Sequence, residues 1–168
     1  GLPPIPGLLE SPLVDPHDII RRPIGGIGKA LVIGGGIRGV GVARLLADRG
    51  VEVMLTEQGS ELMSDIASRS RRFQIEGLNS TGRVSVHLGT MVEALGAESA
   101  VLWNGTKQWT VEGIELVTAT RPVLPVTECS EALYAHPSMP PVYMVGDCAR
   151  PRTALEAMHD AAALAHRL

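Results

Sequence analysis

Between Lys29 and Glu57 the chain reads KALVIGGGIRGVGVARLLADRGVEVMLTE, and its apolar positions change period twice. Ala30-Leu31-Val32-Ile33 is an unbroken apolar run, the pattern of a strand buried on both faces. From about Ile37 to Arg49 the apolar positions Val40, Ala43, Leu46 and Ala47 recur at three and four residues, which predicts a helix with one face on a sheet. Gly50 stops that helix, and Val51 to Thr56 is predicted as a second strand. A helix is expected over Asp65 to Gly77, with Ile66, Phe73 and Ile75 apolar among arginines. Val84, Val86 and Leu88 then alternate with Arg83, Ser85 and His87, a strand with one solvated face. Three shorter strands follow, Thr90 to Leu95, Ala100 to Trp103 and Gln108 to Val111, with Asn104-Gly105 as a hairpin turn. Ile114 to Ala119 reads as a buried closing strand.

The two flanks differ in character. Gly1 to Gly28 is rich in proline and glycine and has no periodicity that would make a core; Asp15 is placed to cap a short helix from Pro16 to Ile20. Past Thr120, Arg121-Pro122-Val123-Leu124-Pro125 breaks the sheet pattern. A helical turn is expected at Ser130 to Ala135, and a strand at Val142 to Val145 ends in Gly146-Asp147. A last helix is predicted from Thr153 to Leu168, with Thr153 as cap and Leu155, Met158, Ala162 and Ala165 on one side. The expected architecture is α/β: a Rossmann-like three-layer lobe with a β meander over residues 27–119.

The junction of the first strand and helix carries the chemistry. Gly34-Gly35-Gly36-Ile37-Arg38-Gly39 is a Gly-x-Gly-x-x-Gly at a strand's end, the order of parts that holds the diphosphate of a dinucleotide. Gly34 allows the tight turn, Gly36 lets backbone approach the pyrophosphate, and Gly39 lets the helix pack closely on the strand. The helix begins at Ile37 and Arg38, so its free N–H groups and positive dipole end point at the phosphates, worth roughly 0.3–1 kcal/mol when exposed and up to ~2 when partly buried. Glu57 ends the second strand about 20 residues after the glycines, where a carboxylate can accept both ribose hydroxyls of an adenosine. A 2′-phosphate beside Glu57 would meet a like charge, a cost of about 4 kcal/mol for one unit pair at ~4 Å and an effective dielectric of 20. NAD(H) is therefore expected over NADP(H). Arg69, Arg71 and Arg72 lie well past the strand end and read more simply as the polar face of a helix.

Composition removes other classes. The 168 residues carry a net charge of −3 with 20% charged and 3% aromatic side chains, so neither a nucleic-acid surface nor a base-stacking platform is marked. No apolar run approaches the ~20 residues of a membrane span, and a cytoplasmic protein is expected. Cys129 and Cys148 lack Cys-x-x-Cys spacing and are expected to be buried reduced thiols. The five histidines show no ligand spacing, so no metal site is expected and no catalytic acid or base is nominated. His159, alone on the last helix, reads as structural.

Two motifs in this order, the fingerprint at Gly34 to Gly39 and the strand ending in Gly146-Asp147, resemble the C-terminal half of a two-dinucleotide flavoprotein. The surrounding pieces are similar to the trimethylamine dehydrogenase and 2,4-dienoyl-CoA reductase family, flavoenzymes related to old yellow enzyme. VYMVGDCARPRTALEAMHDAAALAHRL, from Val142 to Leu168, carries most of that specificity, and Leu2-Pro3-Pro4-Ile5-Pro6-Gly7 resembles the crossing into the family's inserted NAD lobe. The resemblance implies a parent polypeptide with a barrel bearing FMN and an iron–sulfur cluster, then an FAD or ADP lobe with a nicotinamide lobe inserted in it. Residues 1–26 and 120–168 would then be a remnant of the FAD-type lobe, 27–119 the NAD(H) lobe, and the chain a fragment with an incomplete FAD or ADP site. Asp147, after Gly146, would bond flavin ribityl or ribose hydroxyls; the plainer alternative is a helix or turn cap.

Departures from the family pattern bear on function. Arg38 stands where the family often has a smaller or apolar residue, and it can reach a phosphate or crowd the site. Thr118-Ala119-Thr120-Arg121-Pro122 lacks the glycine usual at the return crossing, and Asp160-Ala161 replaces a common glycine. Two functions follow as expectations. One is a module that positions NAD(H) for hydride exchange with a flavin on an adjoining lobe. The other is a structural or docking lobe that binds ADP or no nucleotide. The expected partners are NAD(H), the parent's barrel and flavin domains, and a second copy across the apolar surface that a broken lobe exposes.

Overall fold

A computed structural model of the chain describes residues 3–22, 24–64, 66, 68–120, 124–136, 138–152 and 154–167, without the side chains of Ser68 and Arg69. The chain divides into two compact units, residues 1–121 and 122–168. The first unit contains α1 (Pro16–Arg21), β1 (Lys29–Ile33), α2 (Ile37–Asp48), β2 (Glu52–Thr56), α3 (Ser68–Asn79), β3 (Val84–His87), β4 (Met91–Leu95), β5 (Ser99–Trp103), β6 (Gln108–Glu112) and β7 (Leu116–Ala119).

Four parallel strands are ordered β3-β2-β1-β7, and β4-β5-β6 form a separate antiparallel sheet. The central strand β1 pairs Ala30 with Val53 on one side and with Leu116 on the other. Its side chains alternate between two cores. Ala30 and Val32 join Val40, Ala43 and Leu46 of α2, Leu55 of β2 and Ile19 of α1; Leu31 joins Val117 of β7 with Val92, Ala100 and Leu102 of the antiparallel sheet. That is why the run is apolar without interruption, and why the lobe has three layers: helices, parallel sheet and meander.

The predicted elements of this unit all form, with ends shifted by a few residues. Asp15 caps α1 as expected, accepting the His17 N–H at 2.8 Å. Asn104-Gly105 turns a four-residue loop in which Asn104 Oδ1 accepts from the Thr106 and Lys107 N–H groups, and Gly105 takes φ +90. The helix expected from Asp65 runs instead over Ser68–Asn79, and Asp65 lies outside the described residues.

The strap that precedes α1 hydrogen-bonds to strands of the 27–119 lobe. Leu95 N–H bonds Pro6 C=O at 2.8 Å, and Leu13 bridges to Val117 on the outer edge of β7, with Val14 N–H to Val117 C=O at 2.8 Å and Val117 N–H to Pro12 C=O at 2.9 Å. The proline-rich strap covers an otherwise open sheet edge.

One hydroxyl stands out in this core. Thr118 is fully buried in β7, and its Oγ1 has no hydrogen-bond partner among the described residues. An unsatisfied buried hydroxyl costs about 1–3 kcal/mol. Thr118→Val, which keeps the shape and removes the orphan, is expected to raise stability by about 1 kcal/mol. A lower urea midpoint in the valine variant would show that the hydroxyl has a partner, such as an internal water.

The second unit holds α4 (Glu128–Tyr134), a 3-10 turn at Gly146–Cys148 and α5 (Ala154–Ala165). The expected strand at Val142 to Val145 is absent: these residues are irregular. A strand exists only through hydrogen bonds to a neighbour, and no described residue pairs with them. The helical turn expected at Ser130 to Ala135 is the two-turn helix α4. No residue of α5 is buried, and Leu155 and Met158 of the anticipated apolar face are 58% and 61% exposed. The proposed cap Thr153 lies outside the described residues. Cys129, expected to be buried, is exposed on the first turn of α4, and Cys148 is partly covered. No helix among the described residues is long and apolar enough to cross a membrane.

Candidate functional site

The site is built where β1, β2 and β7 end side by side. Gly34 leaves β1 at φ +98, with its N–H on Thr56 C=O at 2.9 Å. A Cβ on Gly34 would lie 2.7 Å from Thr120 Oγ1, and one on Gly39 would lie 1.7 Å from the Gly34 carbonyl oxygen. Gly34 is required by its positive φ and Gly39 by close approach of backbone. Gly36 caps α2 in extended conformation, and Ile37 begins the helix.

Glu57 follows β2 and reaches the glycine loop. Its Oε2 accepts the Gly35 N–H at 2.6 Å, and its Oε1 accepts the Gly59 N–H at 2.7 Å. The carboxylate is half-buried, and each oxygen keeps a lone pair for a further donor. Among the described residues the N–H groups of Gly36, Arg38 and Gly39 meet no acceptor, as the first turn of a helix leaves them. Together these place a row of N–H donors beside a fixed carboxylate. Such a row fits a diphosphate whose neighbouring ribose offers hydroxyls.

Gly34, Gly36, Ile37, Arg38, Gly39 and Glu57 are thus brought together. Arg38 is exposed on the first turn of α2, and no side-chain bond is formed by it among the described residues. Arg71 and Arg72 do not point to the site: Arg71 pairs with Glu61, and Arg72 with Glu76 at 2.9 Å. The side chain of Arg69 lies outside the described residues.

Gly146 and Asp147 belong to the second unit. Gly146 is buried at φ +68, where an added Cβ would lie 3.2 Å from Cβ of Ala157 on α5. Asp147 is exposed and accepts the Arg152 N–H at 3.4 Å, the geometry of a turn cap with its second oxygen open. Arg152 also pairs with Asp160. His159 is exposed on α5.

Sequence reasoning missed four participants. Gly35, an unspecified position in the fingerprint, is buried; a Cβ there would lie 2.5 Å from Leu62 Cδ2 and 2.9 Å from Glu57 Cβ. Its carbonyl accepts the Met63 N–H at 2.7 Å, and Met63 takes φ +53 to make that bond. Leu62 and Met63 are buried against the loop. Thr120, noted only for replacing a glycine, places its hydroxyl 3.1 Å from both the Ile33 and Gly34 carbonyl oxygens. The signal for Gly35 is its place in the middle of three consecutive glycines; nothing in the pattern marked Leu62 or Met63 as neighbours of the loop, and Thr120 reads only as the place of a missing glycine.

Comparison with known proteins bears on the fold and the family. The fold is that of a 2-naphthoyl-CoA reductase in complex with 2-naphthoyl-CoA (21% identity, TM-score 0.78, 95% of this chain and 24% of that one). It is equally that of 6-hydroxypseudooxynicotine amine oxidase from Pseudomonas geniculata N1 (20%, 0.78, 94% and 24%) and of histamine dehydrogenase from Rhizobium sp. 4-9 (19%, 0.76, 95% and 25%). The chain spans about a quarter of the length of each. No curated protein matches the sequence. The model of a family of flavin- and nicotinamide-nucleotide oxidoreductases matches residues 2–162, nearly the whole chain. The chain belongs to the pyridine nucleotide-disulphide oxidoreductase family.

Proposed function

We propose that residues 27–119 bind NAD(H) and hold it for hydride exchange with a flavin carried by the rest of a trimethylamine dehydrogenase-like parent protein. The observation that carries this reading is the carboxylate of Glu57, fixed on the Gly35 N–H beside the unbonded amides of Gly36, Arg38 and Gly39. The nicotinamide supplies the hydride when bound; this chain's residues bind and orient it. The N–H groups at the start of α2 hold the diphosphate, Arg38 adds a positive charge at its rim, and Glu57 accepts the adenosine ribose hydroxyls. The same carboxylate disfavours a 2′-phosphate.

In the parent protein, residues 1–26 and 120–168 complete the FAD- or ADP-binding lobe, with Gly146 and Asp147 at its nucleotide. The exposed Leu155 and Met158 face of α5 is covered there by the remaining polypeptide, and in the isolated chain by a second copy. FMN and an iron–sulfur cluster belong to the parent's barrel.

The test is a calorimetric titration of the purified chain with NADH, NADPH, ADP and FAD in parallel. Binding of NADH at least tenfold tighter than NADPH is the expected result. Binding of ADP without any preference for NADH, or no binding at all, would favour a structural lobe whose glycine loop serves no hydride transfer.

A further inference from the structure

The peptide unit between Gly34 and Gly35 is gripped from both sides. A trans peptide points its C=O and N–H in opposite directions. Here the Gly34 carbonyl oxygen lies 3.1 Å from Thr120 Oγ1, at the end of β7, and the Gly35 N–H donates to Glu57 Oε2 at 2.6 Å, at the end of β2. Thr120 is itself fixed, because its own N–H donates to the Ile33 carbonyl at 2.8 Å. Its hydroxyl is shared between the Ile33 and Gly34 oxygens, the last carbonyl of β1 and the first of the loop. The next peptide is held too, by the Met63 N–H on the Gly35 carbonyl at 2.7 Å. That bond turns the Gly36 N–H away from Met63, and this N–H is the first one free for a ligand.

We propose that Thr120 is a positioning residue of the dinucleotide site, its hydroxyl and the Glu57 carboxylate acting as a two-sided clamp on the Gly34–Gly35 peptide. The clamp holds the peptide that precedes the one carrying the Gly36 N–H, so that with the Met63 bond the loop is shaped before a ligand arrives. Rotation of the Gly34–Gly35 peptide is the softest way to spoil the loop, since glycine on both sides permits most backbone angles. Without the hydroxyl only the Glu57 side resists it. The role in binding rests on the NAD(H) reading above; the clamp itself is a property of the free protein.

Thr120→Val and Thr120→Ser separate the hydroxyl from the shape of the side chain. Two measurements on the full chain test them. In nucleotide-free protein, hydrogen exchange at the Gly35 amide, followed by NMR, should quicken about three- to tenfold in Thr120→Val, the factor of one neutral hydrogen bond, and stay at the parent rate in Thr120→Ser. In calorimetry, NADH binding should weaken by a similar factor in the valine variant and be restored by serine. Unchanged Gly35 exchange in Thr120→Val overturns the clamp, as does equal slowing or quickening in both variants. Altered exchange with unaltered NADH affinity overturns the positioning role. If the parent chain binds no NADH while the exchange pattern holds, the clamp stands and the NAD(H) reading falls.

Discussion

Gly39→Ala should abolish nucleotide binding and lower the urea midpoint by about 1–2 M. The methyl group would stand 1.7 Å from the Gly34 carbonyl oxygen and 3.1 Å from Thr120 Oγ1. Neither contact is with the free end of a flexible side chain. The carbonyl is part of the clamped loop, so α2 must lift from β1 or the loop must unwind. Overpacking of this kind costs about 1–3 kcal/mol and more where backbone has to move. Either way the first-turn amides of α2 leave the places that, on the proposed reading, surround the diphosphate. Gly41→Ala is the control on the same helix: a Cβ there meets nothing within 4 Å, and the position is solvent-facing. It should stabilise the chain by about 0.5–1 kcal/mol through helix propensity and leave binding unchanged. Equal behaviour of the two variants would mean that α2 does not pack on the loop as described.

The second large effect is expected at Glu57. Glu57→Ala removes the acceptor of two backbone N–H groups, at 2.6 and 2.7 Å. Hydrogen bonds to a charged group contribute about 1.5–3 kcal/mol each when buried. With the carboxylate half-buried and water able to replace part of the Gly59 contact, a net loss of about 2 kcal/mol is expected. If Glu57 holds the ribose as proposed, NADH affinity should fall at least tenfold, because that acceptor is lost and the Gly35 peptide loses its anchor. The preference for NADH over NADPH should shrink as well, since the charge that repels a 2′-phosphate is gone. Glu57→Gln is intermediate: its one oxygen can serve only one of the two amides, and its NH₂ group faces the other. Unchanged NADH binding in Glu57→Ala would place the ribose elsewhere.

How far the sequence reaches is seen by comparing particular residues. Local periodicity found the strands of the first unit and its two longer helices, with α1 read from its cap, because β1 is apolar for being buried twice and β5 and β6 are joined by an Asn-Gly turn that needs no distant partner. It placed Gly34, Gly36, Gly39 and Glu57 at one site, since their spacing follows from a strand, a helix and a strand in series. It failed where the cause lies elsewhere in the chain. Val142 to Val145 has the composition of a strand, but a strand also needs a hydrogen-bonding edge, and composition does not provide one. Cys129 was expected inside on the habits of its residue type, whereas its position on the first turn of α4 turns it outward. The packing of Leu62 and Met63 on Gly35 depends on the path of a loop after β2, and the reach of Thr120 on a strand pairing across the whole lobe. Neither leaves a local pattern.

That pairing also fixes when the site can exist. Thr120 and Gly34 are 86 positions apart, and β1 finishes its hydrogen-bonding only when β7 docks beside it. Closure over so long a stretch is slow relative to local helices and hairpins. A nascent chain emerging from the ribosome can therefore form α2 and the meander while its glycine loop is still slack. The loop reaches its final shape only after residue 120 has been synthesised and β7 has docked beside β1. Affinity for the dinucleotide would then report the last step of folding, with polypeptides cut short of Leu116 showing helix and little binding.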